Sequence, residues 1–128
     1  MKTRAAILLA ARVLLALIFI AAGIDKTLHH AENASYMEGM GMPGGLLPLV
    51  AAFEFLAGLA LIVGYRTSLG SILLATFTLV AGVIFHHAFD DATQMAMFMK
   101  NLAIAGGMLA LAAAGPGELS MDARSTKH

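Results

Sequence analysis

Residues 45–63 read GLLPLVAAFEFLAGLALIV, an apolar run broken by a single ionisable side chain, Glu54. An α-helix rises about 1.5 Å per residue, so about 20 such residues cross the roughly 30 Å hydrocarbon core of a bilayer. Three further stretches have the same character, from about Ala5 to Gly23, Leu69 to Phe85 and Met95 to Ala114. None shows the strict alternation of a barrel strand, and lipid leaves no other way than a helix to satisfy the backbone. The expected fold is therefore an all-α membrane protein, a four-helix transmembrane bundle forming one domain over residues 1–128.

Composition agrees and excludes whole classes of function. The chain is 59% hydrophobic and 12% charged, against about 45–50% and about 25% for soluble domains, and its mean hydropathy is +0.82. Formal net charge is zero. Without a basic block there is nothing to neutralise phosphates, so no nucleic-acid partner is expected, and the lipid bilayer is the certain one. Cysteine is absent, which removes disulfides, thiolate metal sites and thiol redox relays. Lys2, Arg4 and the apolar run to Ala21-Ala22-Gly23 imitate a secretory leader. The run is long, contains Arg12 and precedes three more spans, so a retained first span is expected.

Orientation follows from the cations. Lys2, Arg4, Arg66, Arg124 and Lys127 fall on one side, whereas Lys26 stands alone on the other beside Asp25, Glu32, Glu38, Asp90 and Asp91. The positive-inside rule then places both termini in the cytoplasm. The loop at residues 24–44 and the turn from His86 to Gln94 face outward, and Gly64-Tyr65-Arg66-Thr67-Ser68 is a tight inner turn.

Arg12, Glu54 and Lys100 lie inside the spans. An intramembrane charge costs roughly 2.5–3.5 kcal/mol on insertion scales, so it calls for a partner or a function. Measured from the outer ends, Glu54 lies roughly 14 Å deep, Lys100 roughly 8 Å and Arg12 roughly 17 Å. Glu54 is thus expected to bridge Arg12 and Lys100. One positive charge would remain, for a substrate anion, a quinone carbonyl or the dipole of Asn101 to complement. Helical spacing groups Glu54 with Ala51, Ala57 and Gly58, and Lys100 with Ala96, Ala103 and Gly107. Such small residues mark packing faces. Arg12 shares its side with Leu8, Leu9, Leu15, Ala16 and Gly23. The cluster reads either as a site or as glue that fixes helix orientation.

His86 with Asp90 and His87 with Asp91 would each pair at i,i+4 if the third span continued, a spacing that suits a divalent metal, although ordinary polar residues at a helix end are the preferred reading. Gly82 sets the bundle side, which makes His86 the inward member and a group able to exchange protons. Met37, Met40 and Met42 suggest either soft thioether ligands or apolar packing of an interfacial segment, and the packing reading is preferred. Pro43 and Pro48 mark the start of the second span.

These residues form a series that resembles the DoxX family. Arg12 with Phe19, Ala22-Gly23 and Lys26 is similar to its first-span signature, and Gly41-Met42-Pro43 to its segment before the second span. Glu54, Gly58, Leu61, Gly64 and Arg66-Thr67 are similar to its second-span pattern. His86, the segment Gln94–Asn101, Gly106-Gly107, Gly115-Pro116-Gly117, Ser120 and Asp122 resemble its last third. The resemblance implies a small bacterial inner (cytoplasmic) membrane protein linked to membrane redox chemistry. One relative is a subunit of a thiosulfate:quinone oxidoreductase, and related eukaryotic families include chaperone and cargo-receptor types. The leading expectation is a redox-associated subunit, an oxidoreductase subunit if it takes part in catalysis, with a polar intramembrane site at Arg12, Glu54, Lys100, Asn101 and His86. Its expected ligand is a quinone or similar lipophile, and its expected partner a second copy or a membrane redox protein. The alternatives are a non-enzymatic structural or assembly subunit and, third, a carrier of small solutes or metals.

Overall fold

The structure is a computed structural model that describes residues 2–125; Lys127, counted above among the cations, lies outside the described residues. Six α-helices follow in order: α1 (Lys2–Leu28), α2 (His30–Gly39), α3 (Leu47–Val63), α4 (Thr67–Phe85), α5 (Ala92–Ala114) and α6 (Met121–Ser125). A 3-10 turn at Gly44–Leu46 leads into α3. The helices α1, α4 and α5, together with α3 and its leading turn, are each long and apolar enough to cross a membrane. The expected all-α four-span architecture is present. The start of α1, helix α6 and the turn between α3 and α4 lie at one end, here the terminal end; α2 and the α4–α5 connection lie at the other, the lid end.

The end of α1, the segment after it and the start of α5 differ from the sequence reading, for local reasons. Helix α1 continues through residues 24–28, because Ile24 to Leu28 contains no breaker even though hydropathy falls at Asp25. The residues expected as a polar loop form α2, and Met37 of that helix is buried. Helix α4 stops at Phe85, and α5 starts at Ala92 under an N-cap from Asp91, whose carboxylate accepts from the amides of Thr93 and Gln94 at 2.8 and 3.2 Å. His86 and Asp90 are therefore not one helical turn apart. Among the described residues no three His, Asp or Glu side chains gather as a metal site.

The four long helices associate as two close pairs, α1 with α3 and α4 with α5, and contact between the pairs is sparser. Lipid supplies no hydrophobic drive between spans, so close association depends on small residues. A Cβ on Gly58 would come within 2.7 Å of Ile20 Cγ1, and one on Gly23 within 2.8 Å of the Ala51 carbonyl. The face expected around Glu54 is thus the α1 contact. Where the pairs do meet, Ala16, Phe19, Leu61, Leu74, Ala105 and Met108 form a continuous core. Toward the lid end the pairs separate around a cavity.

Candidate functional site

The charges in the spans divide between two places. Arg12 is completely buried at 0% exposure, yet it does not meet Glu54. Its guanidinium donates to the carbonyls of Leu61 and Ile62 at 3.3 and 2.8 Å and to that of Leu119. The first two lie in the last turn of α3, where the helix dipole is negative, and the Leu61 carbonyl also accepts from the Gly64 amide at 3.2 Å. Gly64 closes that helix in the left-handed conformation with φ of 74°, and the Tyr65 amide returns to the Ala60 carbonyl at 2.9 Å. The expected bridge between Arg12 and Glu54 is overturned because backbone carbonyls, which hydropathy cannot reveal, take both terminal nitrogens of the guanidinium, leaving Nε buried without a partner.

The chain after α5 completes this end. The carboxylate of Asp122 accepts from the amides of Arg66 at 2.7 Å and Thr67 at 2.8 Å, capping α4 from 55 residues downstream. The Asp122 amide donates to the Gly64 carbonyl at 2.9 Å. Burial raises the pKa of this carboxyl, but the amides of Thr67 and Arg66 and the charge of Arg12 together hold it below the usual carboxylate value. Ser120 caps α6 through the Ala123 amide at 3.1 Å. Asp122 was visible in the sequence only as part of a family-like ending, and nothing local marks it as a helix cap.

Glu54, at 4% exposure, instead pairs with Lys26, whose Nζ lies 2.7 Å from Oε1. The added turns of α1 make this contact. Lys26 leaves the helix close to the lid end and its long stem reaches back toward the carboxylate, as lysines do at membrane interfaces. Sequence reading placed Lys26 in a loop and so missed it; its position on the Phe19–Gly23 face, extended by one more turn, was the available signal.

The ion pair borders a cavity of about 350 Å³ between the two helix pairs. Its walls are mainly apolar, with Phe19, Val50, Phe77 and Ile104 among them, and Lys100, Asn101, His86 and Thr78 also line it. Four of the five expected site residues thus surround one space, and Lys26 occupies the place expected for Arg12. Asn101 is buried and its Nδ2 donates to the Thr78 carbonyl at 3.1 Å. Packing of Asn101 against Gly82, where a Cβ would lie 3.2 Å from Nδ2, holds α4 and α5 together beside the cavity. His86 turns inward as expected; its Nδ1 hydrogen-bonds with Gln94 Oε1 at 3.0 Å. His87 is exposed, and its Nδ1 lies 3.0 Å from the carbonyls of Val83 and Ile84.

Lys100 does not occupy the packing face expected for it. The buried stripe of α5 is Asn101, Ala105, Met108 and Leu111, and Lys100 lies beside it, exposed, with Nζ 3.7 Å from Met97 Sδ. Over the lid end, α2 covers the cavity. The Tyr36 hydroxyl donates to the Phe85 carbonyl at 3.3 Å, the two rings stack at 5.7 Å, and Met37 and Met42 line the cavity beneath. The loop methionines at 37 and 42 are packing residues here. Chemically, the arrangement presents an ammonium, an amide, a hydroxyl and an imidazole to an apolar volume with one carboxylate already paired.

Comparison with known proteins agrees with this architecture. The DoxX family model matches residues 7–87. The chain is 46% identical over 114 residues to inner membrane protein YqjF of Escherichia coli (strain K12), covering 89% of this chain and 88% of the relative. It is 37% identical over 128 residues to inner membrane protein YphA of the same organism, covering 94% and 91%. No solved structure matches the chain. With its four spans, the chain belongs to the DoxX family and is a multi-pass protein of the inner membrane.

Proposed function

We propose that the lid-end cavity binds the polar head of a quinone-like lipophile and that the chain serves as a redox-associated subunit. The observation that carries this reading is the convergence of the Lys26–Glu54 pair, Lys100, Asn101 and His86 on one apolar-walled space of about 350 Å³. Ligand cavities of about 300–1,000 Å³ with few, convergent polar groups are the usual form of a small-molecule site. Lys100 and Asn101 would donate to a ring oxygen, where fixed donors in a dry site act strongly. Glu54 would hold Lys26 in place, and His86, anchored through Nδ1, would present Nε2 for proton exchange with the lid end. The chain has no cysteine to cycle, so this reading assigns electron supply to a membrane redox partner. It also keeps residues 1–128 as one unit with both termini in the cytoplasm, supported by Lys2, Arg4, Arg66 and Arg124.

The experiment is titration of purified protein in neutral detergent with a short-chain quinone. Wild type is expected to bind, and Glu54→Gln and Lys100→Ala each to weaken binding by about tenfold, the worth of one charge-assisted contact. Unaltered binding in both variants overturns the site.

One observation favours a second, non-enzymatic reading. Arg12, completely buried, spends its terminal nitrogens on backbone carbonyls of α3 and of the chain after α5. If the Lys26–Glu54 pair has the same role, the chain is an assembly or structural subunit. That reading predicts loss of folded protein in Glu54→Gln with no quinone bound to wild type.

A further inference from the structure

We propose that the cavity selects a lipophilic monoanion, its charged head seated by Lys100, Thr78 and Asn101 and its tail leaving through the seam between α1 and α5. The proposal rests on the cavity reading above and adds the charge of the ligand and its route of entry.

The charge of the cavity wall points to an anion. Lys26 and Glu54 compensate each other at 2.7 Å. Lys100 is the other cation in the wall, Glu54 is the wall's one carboxylate, and among the described residues Lys100 forms no ion pair. Lys100 lies eight residues into α5, about 12 Å along the helix, where an uncompensated ammonium is expensive. A neutral ligand leaves that cost in place; an anionic head removes it.

A second, independent observation is Thr78. It is 4% exposed, it lines the cavity, and its hydroxyl has no hydrogen-bond partner. Two residues earlier, Thr76 uses its hydroxyl on the Ile72 carbonyl at 2.9 Å, the ordinary solution in an apolar helix. A buried hydroxyl left unmatched costs about 1–3 kcal/mol, so a ligand oxygen that accepts from it gains that contact.

The seam supplies the route. Near the terminal end it is shut: Gly107 of α5 faces Leu15 of α1, where a Cβ would lie 3.2 Å from Cδ2, and the Arg4 guanidinium donates to the Ala114 carbonyl at 3.2 Å. Lys100 lies on the same side of α5 as Gly107, about two turns nearer the lid end. There both Lys100 and Ile18 of α1 are exposed while also lining the cavity. The cavity thus reaches the bilayer-facing surface at this seam, as it also does at Leu46 and Val80 on the α3–α4 side, whereas α2 with its Tyr36–Phe85 stack covers the path from the aqueous side. Of the two lateral openings, the α1–α5 seam is the proposed route because Lys100 stands in it.

The test compares dodecanoate, dodecanol and dodecylammonium, which share one tail, by calorimetric titration of the purified chain in neutral detergent. Wild type is expected to prefer dodecanoate over dodecanol by about tenfold and to reject dodecylammonium, in line with one hydrogen-bonded charge contact. Lys100→Gln, at an exposed position, keeps the fold and abolishes the preference, and Thr78→Val reduces it. Equal binding of dodecanoate and dodecanol, or a preference that survives Lys100→Gln, overturns the proposal. If a short-chain neutral quinone still binds in that case, the cavity reading stands alone; if nothing binds, both fall. Displacement of dodecanoate by phosphatidylglycerol but not phosphatidylcholine supports the proposal with a membrane phospholipid as source. Absence of displacement supports it with a free acid as source.

Discussion

The two ends of the bundle treat buried charge in opposite ways. At the terminal end Arg12 is enclosed and its terminal nitrogens are committed to carbonyls of Leu61, Ile62 and Leu119, while Asp122 caps α4. At the lid end Glu54 takes one partner, Lys100 takes no carboxylate, and about 350 Å³ of space stands between them. A charge held by backbone carbonyls locks helices together; a charge left beside apolar space can exchange its partner for a ligand. On the proposed reading, the contrast separates charge that holds the helices from charge available to a ligand.

The comparison breaks most severely at Arg12. Arg12→Ala removes the guanidinium from three carbonyls, leaves those of Ile62 and Leu119 without its charge-assisted bonds, and opens a void, so a loss of about 3 kcal/mol or more is expected, read as the denaturant or heat needed to unfold the purified protein. Gly64→Ala comes next. Its φ of 74° penalises a side chain by about 1–2 kcal/mol, and the new methyl would collide with Ser120 and the Arg12 guanidinium. Asp122→Ala removes the distant cap of α4 at a cost of about 1 kcal/mol, detectable by the same unfolding measurement.

Asp122 also has a pH signature. Its folded pKa lies below the unfolded value, so its contribution is complete above the unfolded carboxylate pKa and disappears as pH falls through the folded one. The wild-type advantage over Asp122→Asn should therefore shrink on acidification and be level across neutral pH.

The lid end should respond in the opposite sense. Lys26 is partly exposed, and without its carboxylate it can extend to the interface; Glu54→Gln is therefore expected to change stability by less than about 1 kcal/mol. Lys100→Ala, which removes an ammonium without an ion-pair partner, should not lower stability. Both should nonetheless weaken ligand binding. A large stability loss in Glu54→Gln without any binding defect would erase the distinction between the ends.

How far the sequence could be read follows the same division. The spans, the inward turn of His86 and the small-residue face around Glu54 were legible, because helical period and residue size determine them. The partner of Arg12 was not, since every helix ends in free carbonyls and none is marked in the residue string. Lys26 was misplaced because hydropathy ends a span at the first charges, whereas the helix itself continues to Leu28. Asp122 was illegible as a cap because capping patterns are sought within a few residues, and this one acts from 55 residues away. Lys100 was expected on the packing face with Ala96, Ala103 and Gly107, whereas the buried stripe runs one position on, through Asn101, Ala105 and Met108, and leaves Lys100 exposed beside the cavity.

Photoaffinity labelling with an azido-quinone, followed by peptide mapping, tests the central claim most directly. The account predicts label concentrated on cavity-lining residues such as Phe19, Val50, Phe77 and Ile104, suppressed by unlabelled quinone and by Lys100→Ala. Label spread evenly over the lipid-facing helix surfaces, unaffected by competitor or variant, would contradict it.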